Sequence, residues 1–408
     1  MKLEIVIPAL DEELTIQSMI ERSLEARGTI VASSPVTEVS VTVVSDGSTD
    51  RTAPLARAYA DRIHLIVFDQ NRGYGAAIKE GWRRSDADVL GVIDADGTCD
   101  PSSFAELCTR LESDGADVVL GCRMHEHSAM PALRRFGNAM FARMLSTFSS
   151  SPVRDTASGM RVVRSESLPK LSPLPDGLHF TPAMTAKAIL GHDLRLSEVD
   201  IPYRERAGDS KLRVGRDGLR FLGAILRAVS LYRPSRLFGL FALACLSAAV
   251  ALMVGPAWHY AREGWLEEWM IYRFVVSELS GVSACLLFCA GYLTQRIVEV
   301  TLFSGRQPAL GPPRARRFFR SRWFWAVPLL LVGVGAALVG ESFVERITTG
   351  VTYEHWSRFV AMSFLVSVAL VLVVTRVTDR FLDLVAERLE STSTAARPRA
   401  DRPAAPVG

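Results

Sequence analysis

The stretch Val89-Leu90-Gly91-Val92-Ile93-Asp94-Ala95-Asp96 decides how the N-terminal half folds. Its uninterrupted apolar run reads as a strand buried on both faces, the pattern of a parallel sheet. Such a strand delivers two carboxylates, Asp94 and Asp96, at its C-terminal end, where an open α/β sheet keeps its ligand crevice. Paired carboxylates there build a hard, anionic pocket suited to Mg2+ or Mn2+ carrying a diphosphate.

Outward from this strand, strands and helices alternate as far as residue 213, the signature of an α/β fold. The patterning predicts strands over 4–7, 39–44, 65–68 and 118–120. It predicts helices over 12–27, 49–60, 75–85 and 101–113, the second capped by Ser48 or Thr49 and the last with Pro101 in its first turn. Two further strand ends carry acids: Ile7-Pro8-Ala9-Leu10-Asp11-Glu12 and Val43-Val44-Ser45-Asp46-Gly47-Ser48. Asp46 has the chemistry to accept hydrogen bonds from a nucleobase edge, and Glu12 from ribose hydroxyls. A lone Asp-Gly-Ser is usually only a turn. Three acidic strand ends in succession are a stronger signal.

At 408 residues and 49% hydrophobic, the chain has room for a catalytic domain and a second region. A net charge of +3 is too small to argue for a nucleic-acid partner. The cysteines, Cys99, Cys108, Cys122, Cys245, Cys285 and Cys289, form no C-x-x-C pair and no disulfide framework. Cys285 and Cys289 fall on one face of a helix and read as packing. The first eight residues are too short and too early broken by proline for a signal peptide, so the N-terminal domain is expected in the cytoplasm.

The second half changes character. Leu219, Leu222, Ile225, Leu226 and Val229 recur at helical spacing with Arg216, Arg220, Arg227 and Arg233 among or beside them. That favours an amphipathic helix at a membrane surface over a domain-packing helix. Apolar stretches follow over 237–258, 274–294, 323–340 and 359–375, each approaching the ~20 residues that cross a bilayer. Glu278 in the second stretch is either functional or close to a helix end. The loop between the second and third stretches holds Arg296, Arg306, Arg314, Arg316, Arg317, Arg320 and Arg322 against Glu299. The flanking loops hold Glu263, Glu267, Glu268, Glu341, Glu345 and Glu354. The positive-inside rule then sets the arginine loop, and with about four crossings both termini, in the cytoplasm. The expected organisation is a catalytic domain over 1–213, a juxtamembrane helix over 214–236, a transmembrane domain over 237–385 and a disordered tail over 386–408.

The acidic strand ends belong to a longer series. It continues through Asn71-Arg72-Gly73-Tyr74-Gly75-Ala76-Ala77, Asp94-Ala95-Asp96-Gly97, Gly121-Cys122-Arg123, Asp155-Thr156-Ala157-Ser158-Gly159-Met160-Arg161 and Tyr203-Arg204-Glu205-Arg206-Ala207-Gly208-Asp209-Ser210-Lys211. In this order the set resembles family-2 glycosyltransferases of the GT-A (Rossmann-like) fold, among them dolichol-phosphate mannose synthases and bacterial polyprenyl-phosphate glycosyltransferases. The resemblance covers about the first 215 residues. It implies a nucleotide-sugar-binding domain in which Pro8, Leu10, Glu12 and Asp46 line the nucleoside pocket. Asp94 and Asp96 would hold Mg2+ or Mn2+, with Ala95 touching the nucleotide through its backbone. Arg123, Arg206 and Lys211 would bind phosphates, with Arg204 a rival to Arg206. Arginine gives bidentate phosphate contacts and lysine a point charge.

The chain departs from the family at Ser45, where many members have Asp, and at Tyr74, which replaces a frequent Lys. Thr98 stands where mannose synthases often have a metal-binding Gln, and becomes the candidate third ligand. His125, Glu126 and His127 lack a third ligand at useful spacing, and His179 and His192 lack evident partners.

The implied activity is inverting transfer of a hexose from a nucleotide-sugar, of GDP-mannose or UDP-glucose type, to a polyprenyl or dolichyl phosphate on the cytoplasmic face. The alternative is a processive polysaccharide synthase with a sugar acceptor, but the Gln-x-x-Arg-Trp run of such enzymes is missing. A non-catalytic sensor of nucleotide-sugars is opposed by Asp94, Asp96, Arg123 and Lys211. Neither the sugar nor the oligomeric state is legible.

Overall fold

A computed structural model describes residues 1–126, 128–149, 152–191, 193–206, 214–302, 314–349 and 355–395. By packing, the chain divides into two units, Met1–Tyr232 and Arg233–Gly408.

The strands of the first unit are β1 (Lys2–Ala9), β2 (Glu38–Asp46), β3 (His64–Phe68), β4 (Val89–Val92), β5 (Val118–Cys122), β6 (Arg161–Arg164) and β7 (Leu196–Asp200). Its helices are α1 (Ile16–Ser33), α2 (Thr52–Arg57), α3 (Tyr74–Arg83), α4 (Phe104–Ser113), α5 (Ala132–Phe148), α6 (Leu168–Leu171), α7 (Phe180–Leu190) and α8 (Val214–Tyr232). The strands make one sheet in the order β3-β2-β1-β4-β6-β5-β7. Pairing is parallel except for β6, which runs antiparallel to both neighbours. Alternate residues of β1 and β2 serve opposite faces. Ile5, Ile7, Val41 and Val43 join the core that holds α1 and α4. Val6 and Val44 lie against α3, where Gly81 lets the helix backbone close on the sheet.

The strand order fixes where a ligand binds. From β1 the chain winds outward through β2 to β3, then returns to the other side of β1 with β4. The carboxyl ends of β1 and β4 flank this change of direction, the crevice position of doubly wound sheets. Because β6 runs backwards beside β4, pairing Val92 with Arg161, the start of β6 also reaches this edge. So does Arg123, immediately after β5.

Several boundaries differ from expectation. Helix α1 starts at Ile16 rather than at 12, because the backbone N–H groups of Asp11, Glu12 and Glu13 bond side chains of Ser48, Thr52 and Asp50. Helix α2 is confined to Thr52–Arg57, and neither Ser48 nor Thr49 caps it: both bind Asp11, and Asp50 accepts from the Thr52 N–H. Helix α8 ends at Tyr232 instead of reaching 236, since Pro234 opens a new helix. It packs on α5 and α7, with Ile225 and Val229 fully buried, while Leu219 and Leu226 stay exposed.

The second unit is helical: α9 (Pro234–Glu263), α10 (Ile271–Leu302), α11 (Arg314–Arg320), α12 (Ala326–Thr349) and α13 (Trp356–Ala395). Pro234–Glu263, Glu268–Thr301 and Trp356–Leu389 are long and apolar enough to cross a membrane, and Ala326–Gly340 is a shorter apolar helix. Leu240, Leu243, Leu246, Val250 and Val254 face outward on α9. Glu278 is half-buried on α10. Cys289 is buried with Tyr292, Phe319, Phe324 and Leu372, with Cys285 packed alongside, and all six cysteines are free thiols. The tail expected from 386 is instead helical to Ala395, because Ala-Glu-Arg-Leu-Glu continues α13 without a glycine or proline. His127, His192, Lys211, Arg306, Glu354 and the chain beyond 395 lie outside the described residues.

Candidate active site

Two loops at the carboxyl ends of β1 and β2 lock together. Asp11 takes a positive φ of 47°, and its carboxylate accepts the Thr49 N–H at 2.7 Å while its own N–H bonds Ser48 Oγ at 3.1 Å. The half-local hydrogen bonding open to an Asp offsets the steric cost of that conformation. Asp46, buried at the end of β2, accepts the N–H groups of Arg72 (2.7 Å) and Gly73 (2.9 Å). It thereby pins the turn before α3, where Gly73 has φ 106°. Pro8 is buried and Leu10 half-buried on the neighbouring β1 edge.

The acid pair follows β4. Ala95 between them is buried. Asp96 accepts the Thr98 hydroxyl (2.7 Å) and N–H (3.2 Å) on Oδ1. Thr98 is itself buried and committed to Asp96 as a donor, which differs from a free third ligand. Asp94 accepts the Tyr74 hydroxyl on Oδ1 at 2.6 Å. Its carboxyl is pushed up to about 6, first by burial and then by the charge of Asp96, against the Tyr74 hydrogen bond. Gly159, just ahead of β6, is packed so closely that a methyl group there would fall 1.9 Å from Asp94 Oδ2.

Cations surround the acids. Arg206 sends Nη1 to Asp96 Oδ2 (3.1 Å) and Nη2 to Glu12 Oε1 (2.6 Å). Arg204, its rival, is exposed and pairs with Asp100 at 3.2 Å. The segment is zipped onto the acidic loop by the Arg204 N–H to Thr98 O bond and the Cys99–Tyr203 bridge. Arg123 makes a bidentate pair with Asp155, 2.8 and 3.0 Å, and stacks over Tyr203. Asp155 is fully buried and also accepts from Asn138 at 2.9 Å. Burial alone would raise its pKa; the Arg123 charge and hydrogen bonds outweigh that and hold it below the usual carboxylate range. Arg161 is fully buried with its guanidinium on the carbonyls of Thr181 and Ser158, and burial pulls it down to about 10. His125 bonds the Ile201 carbonyl, a structural contact, and His179 precedes α7 half-buried.

Of the residues singled out from sequence, Glu12, Asp94, Asp96, Thr98 and Arg206 come together, with Asp46 on the adjoining strand end. Arg204 points elsewhere. Sequence reasoning missed Arg22, whose Nη1 and Nη2 hold the carbonyls of Gly97 (3.2 Å) and Cys99 (3.0 Å) and so brace the acidic loop. It also missed the clamp of Tyr74 and Gly159 on Asp94; both sat within quoted motifs, without a signal of where they meet.

The arrangement is an anionic pocket able to take a hard cation. Among the described residues no three His, Cys, Asp or Glu side chains cluster as a metal cage. Two carboxylates with the remaining positions left to phosphate and water are the usual donor set for Mg2+. That a guanidinium already bridges Asp96 and Glu12 shows the pocket stabilises positive charge.

The Glycosyl transferase family 2 model matches residues 4–171. A dolichyl-phosphate hexose transferase of Haloferax volcanii is 33% identical over 214 residues, covering 52% of this chain and 86% of that protein. An undecaprenyl-phosphate 4-deoxy-4-formamido-L-arabinose transferase of Yersinia enterocolitica is 28% identical, covering 63% and 79%. Among solved structures, glucosyl-3-phosphoglycerate synthase from Mycobacterium tuberculosis, in complex with Mn2+, UDP and glucosyl-3-phosphoglycerate, aligns with a TM-score of 0.43 and 20% identity, covering 56% and 79%.

Proposed function

The chain belongs to glycosyl transferase family 2, and from that premise we propose that it moves a hexose from a nucleotide-sugar onto a polyprenyl phosphate at the cytoplasmic face of a membrane. It is a glycosyltransferase with a GT-A-type α/β unit followed by a helical region rich in apolar spans. The observation that carries the finer reading is the convergence of Glu12, Asp46, Asp94 and Asp96 at the ends of three adjacent strands. Relatives named for dolichyl and undecaprenyl phosphate support the acceptor class.

In this reading Glu12 faces the nucleoside while Asp46 shapes that pocket from behind by holding the turn at Arg72 and Gly73, and Asp94 and Asp96 would hold Mg2+ or Mn2+. The bound metal would supply Lewis-acid stabilisation of charge on the departing nucleoside diphosphate. Arg206 leaves Glu12 and Asp96 to bind a phosphate. Arg123, oriented by Asp155, and Lys211 add cationic contacts to donor and acceptor phosphates. A phosphate monoester is already ionised near neutral pH, so its oxygen attacks the anomeric carbon from the far side without a strong general base. The C–O bond to the diphosphate breaks as the new C–O bond forms, and the configuration inverts. The apolar helices keep the prenyl chain in lipid, and the arginines of the 296–322 segment favour a cytoplasmic position for that loop.

The test is a donor screen. Purified full-length protein is given UDP-glucose or GDP-mannose with undecaprenyl or dolichyl phosphate, and products are read by mass spectrometry. A prenyl-phosphate hexose is the expected product. Polymer without lipid-linked sugar would reassign the acceptor.

A further inference from the structure

Asp94 and Asp96 are prepared differently. Asp96 is held by Thr98 and by Arg206. Among the described residues the Tyr74 hydroxyl is the one donor on Asp94, at 2.6 Å. The nearby guanidiniums are engaged elsewhere, Arg123 with Asp155 and Arg206 with Glu12 and Asp96.

Tyr74 is aimed rather than free to swing. It is the first residue of α3, whose N-terminal amides at Gly75 and Ala76 bond the Asp176 carbonyl at 2.6 and 3.1 Å. Lys79 on the same helix reaches the Asp176 carboxylate at 2.6 Å and the Leu174 carbonyl at 2.9 Å. On the other side Asp46 grips the amides of Arg72 and Gly73. The helix start is thus tied at both flanks, and the phenol arrives at Asp94 with its direction set. Across the carboxylate, the bare Cα of Gly159 leaves just the space Oδ2 occupies.

We propose that Tyr74 is a positioning residue for Asp94: its hydroxyl fixes Oδ1 and, with Gly159 packed opposite, sets the orientation of the carboxylate that would hold the cation. This rests on the metal reading of Asp94 and Asp96. Partners that orient a metal ligand typically contribute about 10- to 100-fold to metal affinity.

The experiment is Mn2+ titration of donor-free, full-length protein in detergent, read by the electron paramagnetic resonance of free Mn2+. Wild type, Tyr74→Phe and Asp96→Asn are compared, with thermal unfolding of each. Tyr74→Phe is expected to bind Mn2+ about 10-fold more weakly or worse, and to need correspondingly more Mn2+ for half-maximal transfer. A Tyr74→Phe protein with wild-type Mn2+ affinity overturns the proposal, whether it melts earlier (a packing role) or shows a raised donor KM (a substrate contact). Asp96→Asn separates the two layers: wild-type Mn2+ affinity there defeats the metal reading itself. If Tyr74→Phe does not fold, Gly159→Ala presses on the same carboxylate from the far side. Weakened Mn2+ binding in that variant supports the clamp, and undiminished binding overturns it.

Discussion

Arg206 and Asp96 are joined by a 3.1 Å contact between a guanidinium nitrogen and a carboxylate oxygen, while the other end of the same guanidinium holds Glu12 at 2.6 Å. A cation of the protein thus sits on two groups assigned to substrate and metal. Whatever binds there must first displace it. Arg206→Gln is therefore expected to bind Mn2+ more tightly in the absence of donor, by about five-fold, the equivalent of about 1 kcal/mol for a partly exposed pair. The same variant is expected to transfer sugar more slowly, because it lacks the guanidinium proposed to bind a phosphate. Calorimetric Mn2+ titration beside a transfer assay checks both signs.

Arg123 and Asp155 form a nearly sealed bidentate pair, with side chains 12% and 0% exposed. Removing one partner strands the other charge in the interior. Asp155→Ala is expected to destabilise the protein by about 3–5 kcal/mol, measured as loss of melting temperature of the full chain. The sign with pH follows from the lowered Asp155 pKa. The folded value lies under the unfolded one, about 3.9. Its stabilisation is complete above that value and is lost as pH falls toward the folded pKa. Acid unfolding between about pH 4 and lower values should accordingly be blunted in Asp155→Asn relative to its own neutral-pH stability.

In the helical unit, Asp379 is fully buried on α13 and accepts from Tyr292 (2.8 Å) and Arg296 (3.2 Å) on α10. Asp383, one turn on, accepts from Arg296 (2.8 Å) and from Arg320 on α11. This network ties three helices through charges that apolar packing cannot replace singly. Asp379→Ala leaves Arg296 short of a buried partner and is expected to cost about 3–5 kcal/mol. Thermal unfolding in detergent reads it, and an unchanged midpoint would show the network to be dispensable.

The alternating pattern made the α/β unit legible, because β1, β2 and β4 each carry an apolar segment with an acid at or within three residues of the strand end. The apolar helices were legible for the same reason: a long stretch without charge has few other uses. What sequence spacing could not supply was any pairing across the fold. The four-residue β6 carries no pattern of its own, yet its reversed direction brings Gly159 and Arg161 to the site. Arg123 meets Asp155, and Arg206 meets Glu12, only through the sheet order. Arg204 and Arg206 are equivalent as sequence and opposite in aim. Helix α1 begins late because the loop before it is spent on the β2 loop, a competition no local propensity reports.

The central claim is that a divalent cation on Asp94 and Asp96 brings an activated sugar to a prenyl phosphate in the bilayer. Its most direct test is the partition of label from a radioactive nucleotide-sugar, using purified protein, undecaprenyl phosphate and either EDTA or excess Mn2+. The account predicts organic-extractable label with Mn2+, none with EDTA, and none with Asp96→Asn under either condition. Equal organic-extractable label after exhaustive chelation, or label that stays in water-soluble polymer, would contradict it.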